Sequence, residues 1–274
     1  MSRTVLITGT SSGIGRATAR HFQAQGWNVI ATMRNPAAET ELNTLPNVLV
    51  TRLDVQDQTS IETAVAAGIA RFGGIDVLVN NAGYGAYGPL EATPLARIRN
   101  QFEVNVIGLL ATTQAVLPHF RARHAGVIVN VSSMGGKITF PLGSLYHGSK
   151  FAVEGLSEAL QYELAAIGVR IRIIEPGAVK TDFAGRSFDF NNDPTMTAYQ
   201  PVVQAVFAAL GPMAETAPPP EDVAATILRA ATDEGSQLRY EVGQDAAHFL
   251  AARRAADDAT FFAGMRAQLG LTGQ

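Results

Sequence analysis

The pattern that decides the fold lies in the segment Thr4-Val5-Leu6-Ile7-Thr8-Gly9-Thr10-Ser11-Ser12-Gly13-Ile14-Gly15. Its first apolar residues predict a short buried strand, and the glycines predict a tight turn into a helix. A strand, a glycine turn and a helix in this order present a helix N-terminus to a phosphate group. Gly9 would permit the turn, Gly13 a close approach of the backbone to a ligand, and Gly15 close packing of helix on strand. We therefore expect a nucleotide-binding unit at this end of the chain.

Apolar runs and helical patterns alternate along the rest of the chain, as in a parallel α/β sheet. Further strands are predicted at residues 28–33, 48–53, 75–79, 127–131, 169–174 and 238–242. Helices are predicted at residues 57–72, 94–123, 144–166 and 221–231, and in a tail at 246–269 with a break near Gly264. The looser pattern at 182–220 is typical of a substrate lid, and 245–274 predicts a C-terminal helical extension. We expect residues 1–274 to form one dinucleotide-binding catalytic domain.

Composition and charge narrow the function classes. The 274 residues carry a net charge of −3, which argues against nucleic acid as a partner. The absence of cysteine excludes disulfides and thiolate metal sites, suits a reducing compartment, and leaves no metal site expected. No apolar run reaches about 18 residues, and the first strand follows Met1 too closely for a signal peptide. The expectation is a cytoplasmic protein without a membrane span.

Tyr146 and Lys150 form the pair with the clearest chemistry. On a helix they share one face, and an ammonium beside the phenol would lower its pKa from about 10 by roughly 1–3 units, towards a value suited to acid–base catalysis. Such pairs are commonly only surface neighbours. Lysine occurs here only at positions 137, 150 and 180, against 18 arginines, which makes a chance pair less plausible.

Polar residues near the ends of predicted strands are further candidates. Ser133 would polarise a carbonyl group next to the tyrosine, and Ser132 competes for this role, although neighbouring strand residues face opposite ways. Asn105 lies within an apolar stretch of a predicted helix and, if buried, needs hydrogen-bond partners. Asn80 and Asn81 follow a strand, where asparagines are commonly turn formers.

The end of the second strand bears on the choice of cofactor. A carboxylate about 20 residues past the glycines would bind the ribose 2′-hydroxyl of NAD. The chain has Met33 and then Arg34 at this place, and Ser11 and Ser12 add hydroxyl groups nearby. Arginine suits a 2′-phosphate, the alternative being an ordinary solvated charge. Arg34 therefore predicts NADP(H).

Taken together, these motifs resemble those of the short-chain dehydrogenase/reductase family, over residues 4–242. The matched residues are Thr8-Gly9-x-x-x-Gly13-Ile14-Gly15, Asn80-Asn81-Ala82-Gly83, Asn105, Ser133, Tyr146-x-x-x-Lys150 and Pro176-Gly177-x-x-x-Thr181. The resemblance implies a single-domain Rossmann-type α/β fold, a doubly wound parallel sheet in the order 3-2-1-4-5-6-7 flanked by helices. The glycine turn and the C-terminal extension look closest to 17β-hydroxysteroid and retinol dehydrogenase-like members.

The resemblance also implies a catalytic tetrad of Asn105, Ser133, Tyr146 and Lys150. Tyr146 would donate or accept the proton, and Ser133, selected by its thirteen-residue distance from the tyrosine, would orient the carbonyl. Lys150 would lower the tyrosine pKa and hold the nicotinamide ribose, and Asn105 would keep a water in a proton relay. The implied cofactor-binding residues are Gly9, Ser11, Ser12, Gly13, Ile14, Gly15, Arg34, Asp54, Val55, Asn81, Ala82, Gly83, Tyr146, Lys150, Pro176, Gly177, Val179 and Thr181.

The function implied is hydride transfer between NADP(H) and a hydrophobic ketone or secondary alcohol. The expected pocket wall is apolar and aromatic: Tyr84, Tyr87, Met134, Phe140, Phe183 and Phe188. His147 would line the pocket or serve in packing. The family implies a homo-dimer or homo-tetramer. A catalytically silent NADP(H)-sensing regulator on the same fold is the alternative, and the complete tetrad favours the enzyme.

Overall fold

The computed structural model describes residues 2–215 and 217–271, except for the side chains of 183, 184, 210 and 212–215. The strands are β1 Thr4–Ile7, β2 Asn28–Met33, β3 Val48–Arg52, β4 Val77–Asn80, β5 Gly85–Tyr87, β6 Gly126–Val131, β7 Val169–Pro176, β8 Phe188–Phe190 and β9 Arg239–Val242. The α-helices are α1 Gly13–Ala24, α2 Gln58–Phe72, α3 Leu95–Phe102, α4 Gly108–Arg123, α5 Ser144–Ala165, α6 Gln200–Glu215, α7 Pro220–Thr232, α8 Gln244–Ala255 and α9 Asp258–Gln268. Among these helices, none combines the length and the apolar composition that crossing a bilayer would require.

The central sheet is parallel throughout, with its strands in the order β3-β2-β1-β4-β6-β7-β9. Numbered without the two short strands β5 and β8, this is the order 3-2-1-4-5-6-7, so the predicted doubly wound fold is confirmed. Parallel strands need crossover connections, and helices supply them on both faces. The order in which strands are added to the sheet reverses between β1 and β4, so the carboxyl ends of these two strands border the crevice where such sheets bind ligands.

Alternate residues of each strand enter two separate cores. Ile7 and Val29 face the layer of α1 and α7, where they pack with Phe22. Leu6 and Ile30 face the opposite layer of α2, α4 and α5. The central strands are therefore apolar on both faces, which is why they read as continuous hydrophobic runs in the sequence.

A small second sheet and one helix were not predicted. Strand β5 pairs in parallel with β8, so that Gly85 lies opposite Phe188, and this contact ties the predicted lid segment 182–220 to the loop after β4. The same segment contains helix α6, with Val203 and Val206 buried. Pro201 lies in its first turn, where a missing N–H costs little. Three-residue strands and a helix containing Pro and Gly leave little periodicity to detect.

The C-terminal extension corrects one prediction. The break expected near Gly264 is wrong, because Gly264 lies inside α9 and the chain turns at Ala256 and Asp257 instead. The Asp257 side chain accepts a hydrogen bond from the Thr260 N–H at 2.8 Å and so caps α9. Residues of α8 and α9 form a third core with Met134 and the segment after β6.

This placement of the break can be tested by adding a methyl group to the helix. Gly264 is exposed and an added Cβ would meet no atom within 4 Å, so Gly264→Ala should raise the free energy of unfolding by about 0.5–1 kcal/mol. Urea titration measures the change. Gly270→Ala is the matched control and should be destabilising, because Gly270 has a φ of +67° just beyond α9. A loss of stability in Gly264→Ala would place the break where the sequence suggested.

Candidate active site

The glycine turn between β1 and α1 has the shape expected of a phosphate-binding loop. Gly9 and Gly13 have φ angles of +73° and +53°, which L-residues rarely adopt. A Cβ on Gly15 would lie 2.2 Å from the Gly9 carbonyl oxygen, so only glycine fits where α1 passes the turn. Ser12 is the N-cap of α1, and its side chain makes no capping hydrogen bond. The first N–H groups of α1 are thus available to an anion, and the turn fits the phosphates of a dinucleotide.

The end of β4 is fastened to this turn. Asn81 Nδ2 donates to the carbonyl oxygens of Thr8 at 2.8 Å and Gly9 at 3.2 Å. The Thr8 hydroxyl accepts hydrogen bonds from the N–H groups of Asn81 and Ala82, both at 3.0 Å. Thr8 was part of the recognised motif but not among the predicted binding residues, and its role is to clamp the two strand ends together. Asn81 is partly buried in this network, and its amide nitrogen serves the turn itself.

The arginine that is predicted to bind a 2′-phosphate lies at the surface, directly after β2. Met33 is buried at the end of β2, whereas Arg34 is exposed and makes no ion pair within residues 2–215 and 217–271. The nearby acid Glu39 is buried and its carboxylate lies 2.6 Å from Arg16. Burial would raise the pKa of Glu39, but hydrogen bonds from the N–H groups of Leu42 and Glu41 and the Arg16 charge outweigh it and lower this pKa. The negative charge of the buried Glu39 carboxylate is therefore compensated by Arg16.

Arg16 was missed by sequence reasoning. Besides its bond to Glu39, its guanidinium donates to Glu41 at 2.8 Å and to the Ser11 carbonyl at 3.1 Å. It thereby joins the glycine turn to the segment that follows β2. An arginine directly after a glycine turn carries no signal of its own in the sequence, because its two carboxylate partners lie more than 20 residues away.

The remaining predicted cofactor residues lie at the ends of β3 and β7. The Asp54 N–H donates to Ser60 at 2.9 Å, and Val55 packs on Gly108, where a Cβ would lie 2.7 Å from the Val55 Cβ. Thr181 approaches the glycine turn, its Cγ2 lying 3.4 Å from a Cβ placed on Gly13.

The turn after β7 depends on a residue that the motifs did not indicate. Asp245, from α8, accepts a hydrogen bond from the Ala178 N–H at 2.7 Å and lies close against Gly177. Pro176 ends β7 and its carbonyl oxygen accepts from Ser133, while Val179 packs on the core beside α1 and α7. The C-terminal extension thus shapes the predicted cofactor loop.

Ser133, Tyr146 and Lys150 converge where β6 meets α5. Lys150 Nζ donates to the Val131 carbonyl oxygen at 2.9 Å, and it lies 5.9 Å from the centre of the Tyr146 ring. A hydrogen bond joins the side chains of Ser133 and Tyr146. Ser133 also donates to the Pro176 carbonyl at 3.3 Å and accepts from the Gly135 N–H at 3.0 Å, so its hydroxyl is held in place.

The pKa of Tyr146 differs from the value that its spacing from Lys150 predicted. Burial raises the pKa of Tyr146 above its usual value, and the Ser133 hydrogen bond offsets only part of this rise. Burial also lowers the pKa of Lys150 to about 8, against the opposing charge of Glu154. The predicted lowering of the tyrosine pKa by Lys150 is therefore not seen, because the ammonium is bonded to a backbone carbonyl and the phenol is desolvated.

The two candidate serines face different surroundings. Ser132 Oγ lies 2.7 Å from a Cβ placed on Gly136, and Glu154 Cγ lies 2.8 Å from the same position. Ser132 therefore points towards Glu154, on the far side of the strand end from Tyr146 and Ser133. This is the alternation that an extended backbone imposes.

Asn105 lies in a π-helical turn, Glu103–Ile107, which interrupts the predicted helix between α3 and α4. Its Nδ2 donates to the Tyr84 carbonyl at 2.8 Å and to Ser149 Oγ at 3.1 Å, and its Oδ1 accepts from the Tyr84 N–H at 3.0 Å. The buried amide thus holds the loop after β4 against α5. An extra residue in one helical turn explains how a polar side chain reaches that loop from an apolar stretch.

An aromatic wall lies beside the tyrosine. The Tyr87 ring stacks on Tyr146 at 5.3 Å between centroids, and Phe188 lies 5.0 Å from Tyr87. Phe190 and Phe207 meet edge to face at 5.0 Å further along the lid segment. These contacts bring the predicted residues Tyr87 and Phe188 together, with Phe190 and Phe207 as additions.

The other predicted wall residues are placed differently. Tyr84 is held by its hydroxyl, which accepts from Asn100 at 2.7 Å. Met134 and Phe140 pack in the third core with α8 and α9. The side chain of Phe183 lies outside the described part of the chain.

His147 has a packing role. Its Nε2 accepts from the Phe140 N–H at 2.9 Å, so its Nδ1 carries the proton and donates to the Gly135 carbonyl at 2.9 Å. Burial lowers the pKa of His147, with the Gly135 bond opposing, and the ring remains neutral. The neutral imidazole fastens the loop after Ser133 to α5.

Comparisons with known proteins agree with this geometry. A family model described as short chain dehydrogenase matches residues 3–192. A Schizosaccharomyces pombe protein, an uncharacterized oxidoreductase, is 47% identical over 244 residues, which cover 87% of this chain and 100% of that protein. Retinol dehydrogenase 8 of Bos taurus is 35% identical over 258 residues, covering 86% of this chain and 80% of the bovine protein.

Solved structures extend the likeness to the backbone. A short-chain dehydrogenase from Streptomyces avermitilis has a TM-score of 0.83 at 34% identity, covering 98% of each chain. A structure of ElxO with NADP bound has a TM-score of 0.72 at 28% identity, covering 88% of this chain and 98% of that one.

The hydrogen bonds of Asn105 generate a prediction about stability. Asn105→Ala leaves the Tyr84 N–H without its partner and removes one of the two side-chain hydrogen bonds to the Tyr84 carbonyl oxygen, which keeps Gln101 Nε2 at 3.0 Å. The variant should lower the free energy of unfolding by about 1–3 kcal/mol. Chemical denaturation measures it. Asn100→Ala is the control, because among the described residues the Asn100 side chain bonds the Tyr84 hydroxyl and the exposed Gln56, and the variant should cost under about 1 kcal/mol. Equal losses in the two variants would contradict a special role for Asn105.

Proposed function

This chain belongs to the short-chain dehydrogenase family and is an oxidoreductase of it, and we propose that it interconverts a hydrophobic ketone and its secondary alcohol with NADP(H). The observation that carries the proposal is the convergence of Ser133, Tyr146 and Lys150 at the carboxyl edge of the sheet, next to the glycine turn. A phenol, a hydroxyl and an ammonium are the groups required for proton transfer at a carbonyl oxygen.

Each residue of this group has a distinct role in the proposed reaction. The nicotinamide, when bound, supplies or accepts the hydride. Ser133 orients the substrate oxygen, Tyr146 delivers a proton from its phenol, and Lys150 would hold the ribose of the nicotinamide. Asn105 Oδ1 accepts from the Tyr84 N–H and keeps a second lone pair for a relay water.

The state of the tyrosine favours one direction. Because the pKa of Tyr146 is raised, the phenol carries its proton throughout the neutral range. A protonated phenol is the form that reduction of a ketone needs, whereas oxidation of an alcohol needs the phenolate. We therefore expect reduction to dominate at neutral pH and oxidation to accelerate as the pH rises.

The aromatic wall supports an apolar substrate. Tyr87, Phe188 and Phe190 extend away from Tyr146 along β5 and β8. Arg97 on that side is paired with Asp189 at 3.1 Å, which leaves its charge compensated. An aryl or alicyclic ketone would contact this wall, covered by the lid segment 182–220.

The choice of NADP(H) over NAD(H) is supported by the end of β2. Met33 places no carboxylate near a 2′-phosphate, and the charge of Glu39 is compensated by its ion pair with Arg16. Arg34 is exposed and makes no ion pair within the described ranges. A charge-assisted contact from Arg34 is the interaction that would favour the phosphate. ElxO, whose backbone is similar, was solved with NADP.

Exposed apolar residues support a homo-oligomer. Ile107, Phe151 and Tyr162 are 49%, 44% and 79% exposed, next to or on the helices α4 and α5. Large exposed apolar side chains are typical of contacts between subunits.

The first test concerns the proton donor. Purified protein would be assayed with NADPH on a panel of aryl and alicyclic ketones and of charged oxo acids, with turnover expected on the apolar ketones. Tyr146→Phe keeps the ring that stacks on Tyr87 but lacks the phenolic proton, and should lower kcat by about 10²–10⁴-fold.

Two matched controls sharpen this test. Tyr87→Phe also removes one hydroxyl from the stacked pair and should keep most of the activity. Ser133→Ala should impair turnover more than Ser132→Ala, because only Ser133 is bonded to Tyr146. Near-full turnover by Tyr146→Phe would contradict its role as proton donor, and turnover of charged substrates alone would contradict the proposal of an apolar substrate.

The second test concerns cofactor selectivity. Arg34→Ala should reduce the preference for NADPH over NADH, measured as the ratio of kcat/KM values, by roughly ten- to a hundredfold, since a hydrogen bond to a charged group contributes about 1.5–3 kcal/mol. Arg52→Ala is the control, because Arg52 ends the neighbouring strand but is bound to Asp57 at 2.8 Å. A wild type that prefers NADH, or an unchanged ratio in Arg34→Ala, argues against this role.

A further inference from the structure

A group of buried charges lies behind the catalytic helix, between α5 and the ends of β7 and β9. Glu154 Oε2 is 3.0 Å from Arg239 Nε, and Glu175 Oε1 is 3.3 Å from the same nitrogen. The two carboxylate side chains are only 3% and 2% exposed. Two buried carboxyl groups therefore converge on one guanidinium N–H.

The hydrogen bonding of this group is incomplete. Glu154 Oε1, Glu175 Oε1 and the neighbouring Ser132 Oγ are buried and make no hydrogen bond of good geometry among the described residues. Glu175 Oε1 has only its ion pair with Arg239, and the Ser132 hydroxyl lies close enough to Glu154 to lower the pKa of that carboxyl. An ionised carboxylate whose oxygen is buried and unpaired is costly. A proton on one of the two carboxyl groups removes one charge and provides a donor, so the geometry favours a pair that retains a proton.

The surrounding cations are too few for every carboxylate to ionise at no cost. Arg239 is shared with a third carboxylate, Glu158, which also pairs with Lys137 at 3.4 Å. Burial and the charge of Glu154 raise the pKa of Glu175 to about 7, while Arg239 and Lys137 oppose this rise and Glu241 adds to it. Burial likewise raises the pKa of Glu154, with the Ser132 hydrogen bond, Arg239 and Lys137 opposing this rise.

The pair is connected to the catalytic lysine through α5. Glu154 follows Lys150 by one helical turn, and Gly136 packs against both, since a Cβ there would lie 2.8 Å from Glu154 Cγ and 3.1 Å from the Lys150 carbonyl oxygen. Burial lowers the pKa of Lys150, and the negative charge of Glu154 acts against that lowering.

We propose that Glu154 and Glu175 hold one proton between them near neutral pH, carried by Glu175, and that the charge left on Glu154 keeps Lys150 protonated. Glu154 is then a positioning residue that acts through Lys150 and not on the substrate. The catalytic importance of Lys150 rests on the proposed function. The shared proton and the charge of Lys150 do not depend on it and can be measured without turnover.

The first measurement is an NMR titration of lysine labelled with ¹³C at Cε, which is practical because the chain has lysine only at 137, 150 and 180. In Glu154→Gln the titration of Lys150 should move to lower pH by about one unit or more, because the compensating charge is lost. In Glu175→Gln, which imitates the protonated acid, it should move by less than about half a unit. Glu158→Gln is the control on the same helix and should leave Lys150 unchanged.

The second measurement is the stability of the same proteins against pH. The folded chain holds a proton on Glu175 that an unfolded carboxyl, with a pKa near 4.5, has lost, so wild-type stability should fall as the pH rises from about 4.5 to about 7. Glu175→Gln should abolish that fall, Glu154→Gln should move it to lower pH, and Glu158→Gln should keep it.

The outcomes separate this inference from the proposed function. An unchanged Lys150 titration in Glu154→Gln, or an unchanged stability profile in Glu175→Gln, overturns the inference even if the enzyme is active. Should Glu154→Gln fail to fold, the Glu175→Gln profile still decides on the shared proton. Glu154→Asp, which retains the charge, then decides on Lys150: it should keep the wild-type titration, and a shift there as large as one unit would count against the inference. A wild type without turnover overturns the proposed function alone.

Discussion

A buried ammonium group is the constraint on which the site depends. Lys150 Nζ reaches under α5 to the carbonyl oxygen of Val131, the last residue of β6, at 2.9 Å. That contact fixes the register of α5 on the sheet, and so places Tyr146, one turn earlier, opposite Ser133, two residues beyond the strand. A cation removed from water is costly, which is why the pKa of Lys150 falls to about 8. The charge of Glu154, on the same helix, opposes this fall in the pKa of Lys150.

The shape of the glycine turn at the cofactor end of the site depends on the close approach of backbone segments. Gly15 has to be glycine because the Gly9 carbonyl lies where its Cβ would be, and Asn81 uses its amide to hold the turn in that shape. On the opposite side, Asp245 holds the turn after β7. The C-terminal extension therefore contributes to both halves of the site, since α8 supplies Asp245 and also packs on the segment after Ser133.

Polar side chains that bond backbone groups carry much of this architecture. Asn105 bonds the N–H and C=O groups of Tyr84, the C=O group together with Gln101, and His147 bonds the backbone of Gly135 and Phe140. Both side chains are buried. Such bonds stabilise modestly when made but are expensive to lose in the interior. The loops after β4 and β6 are thereby held rigid around Tyr146, as a site that must position a carbonyl oxygen requires.

Local pattern determined a large part of this protein. Apolar strands at a regular spacing, the glycine turn and the Tyr146–Lys150 pair predicted the family and the order of the main strands, because these features depend on residues close together in the chain. The end of a helix depends on its cap, and the cap Asp257, not Gly264, sets the break in the C-terminal extension.

Only the tertiary structure decided the contacts, the burial and the pKa of each predicted side chain. Arg16 and Glu39, Glu154 and Arg239, and Tyr87 and Phe188 meet across 23 to 101 residues of chain, and no local pattern reports such contacts. The pKa of Tyr146 is raised and not lowered for the same reason: spacing along a helix places an ammonium nearby, but burial and the partner that the ammonium actually binds depend on the whole fold. The sequence specifies which side chains share a helix face. Their pKa values depend on desolvation, and desolvation depends on all the residues that pack around them in the fold.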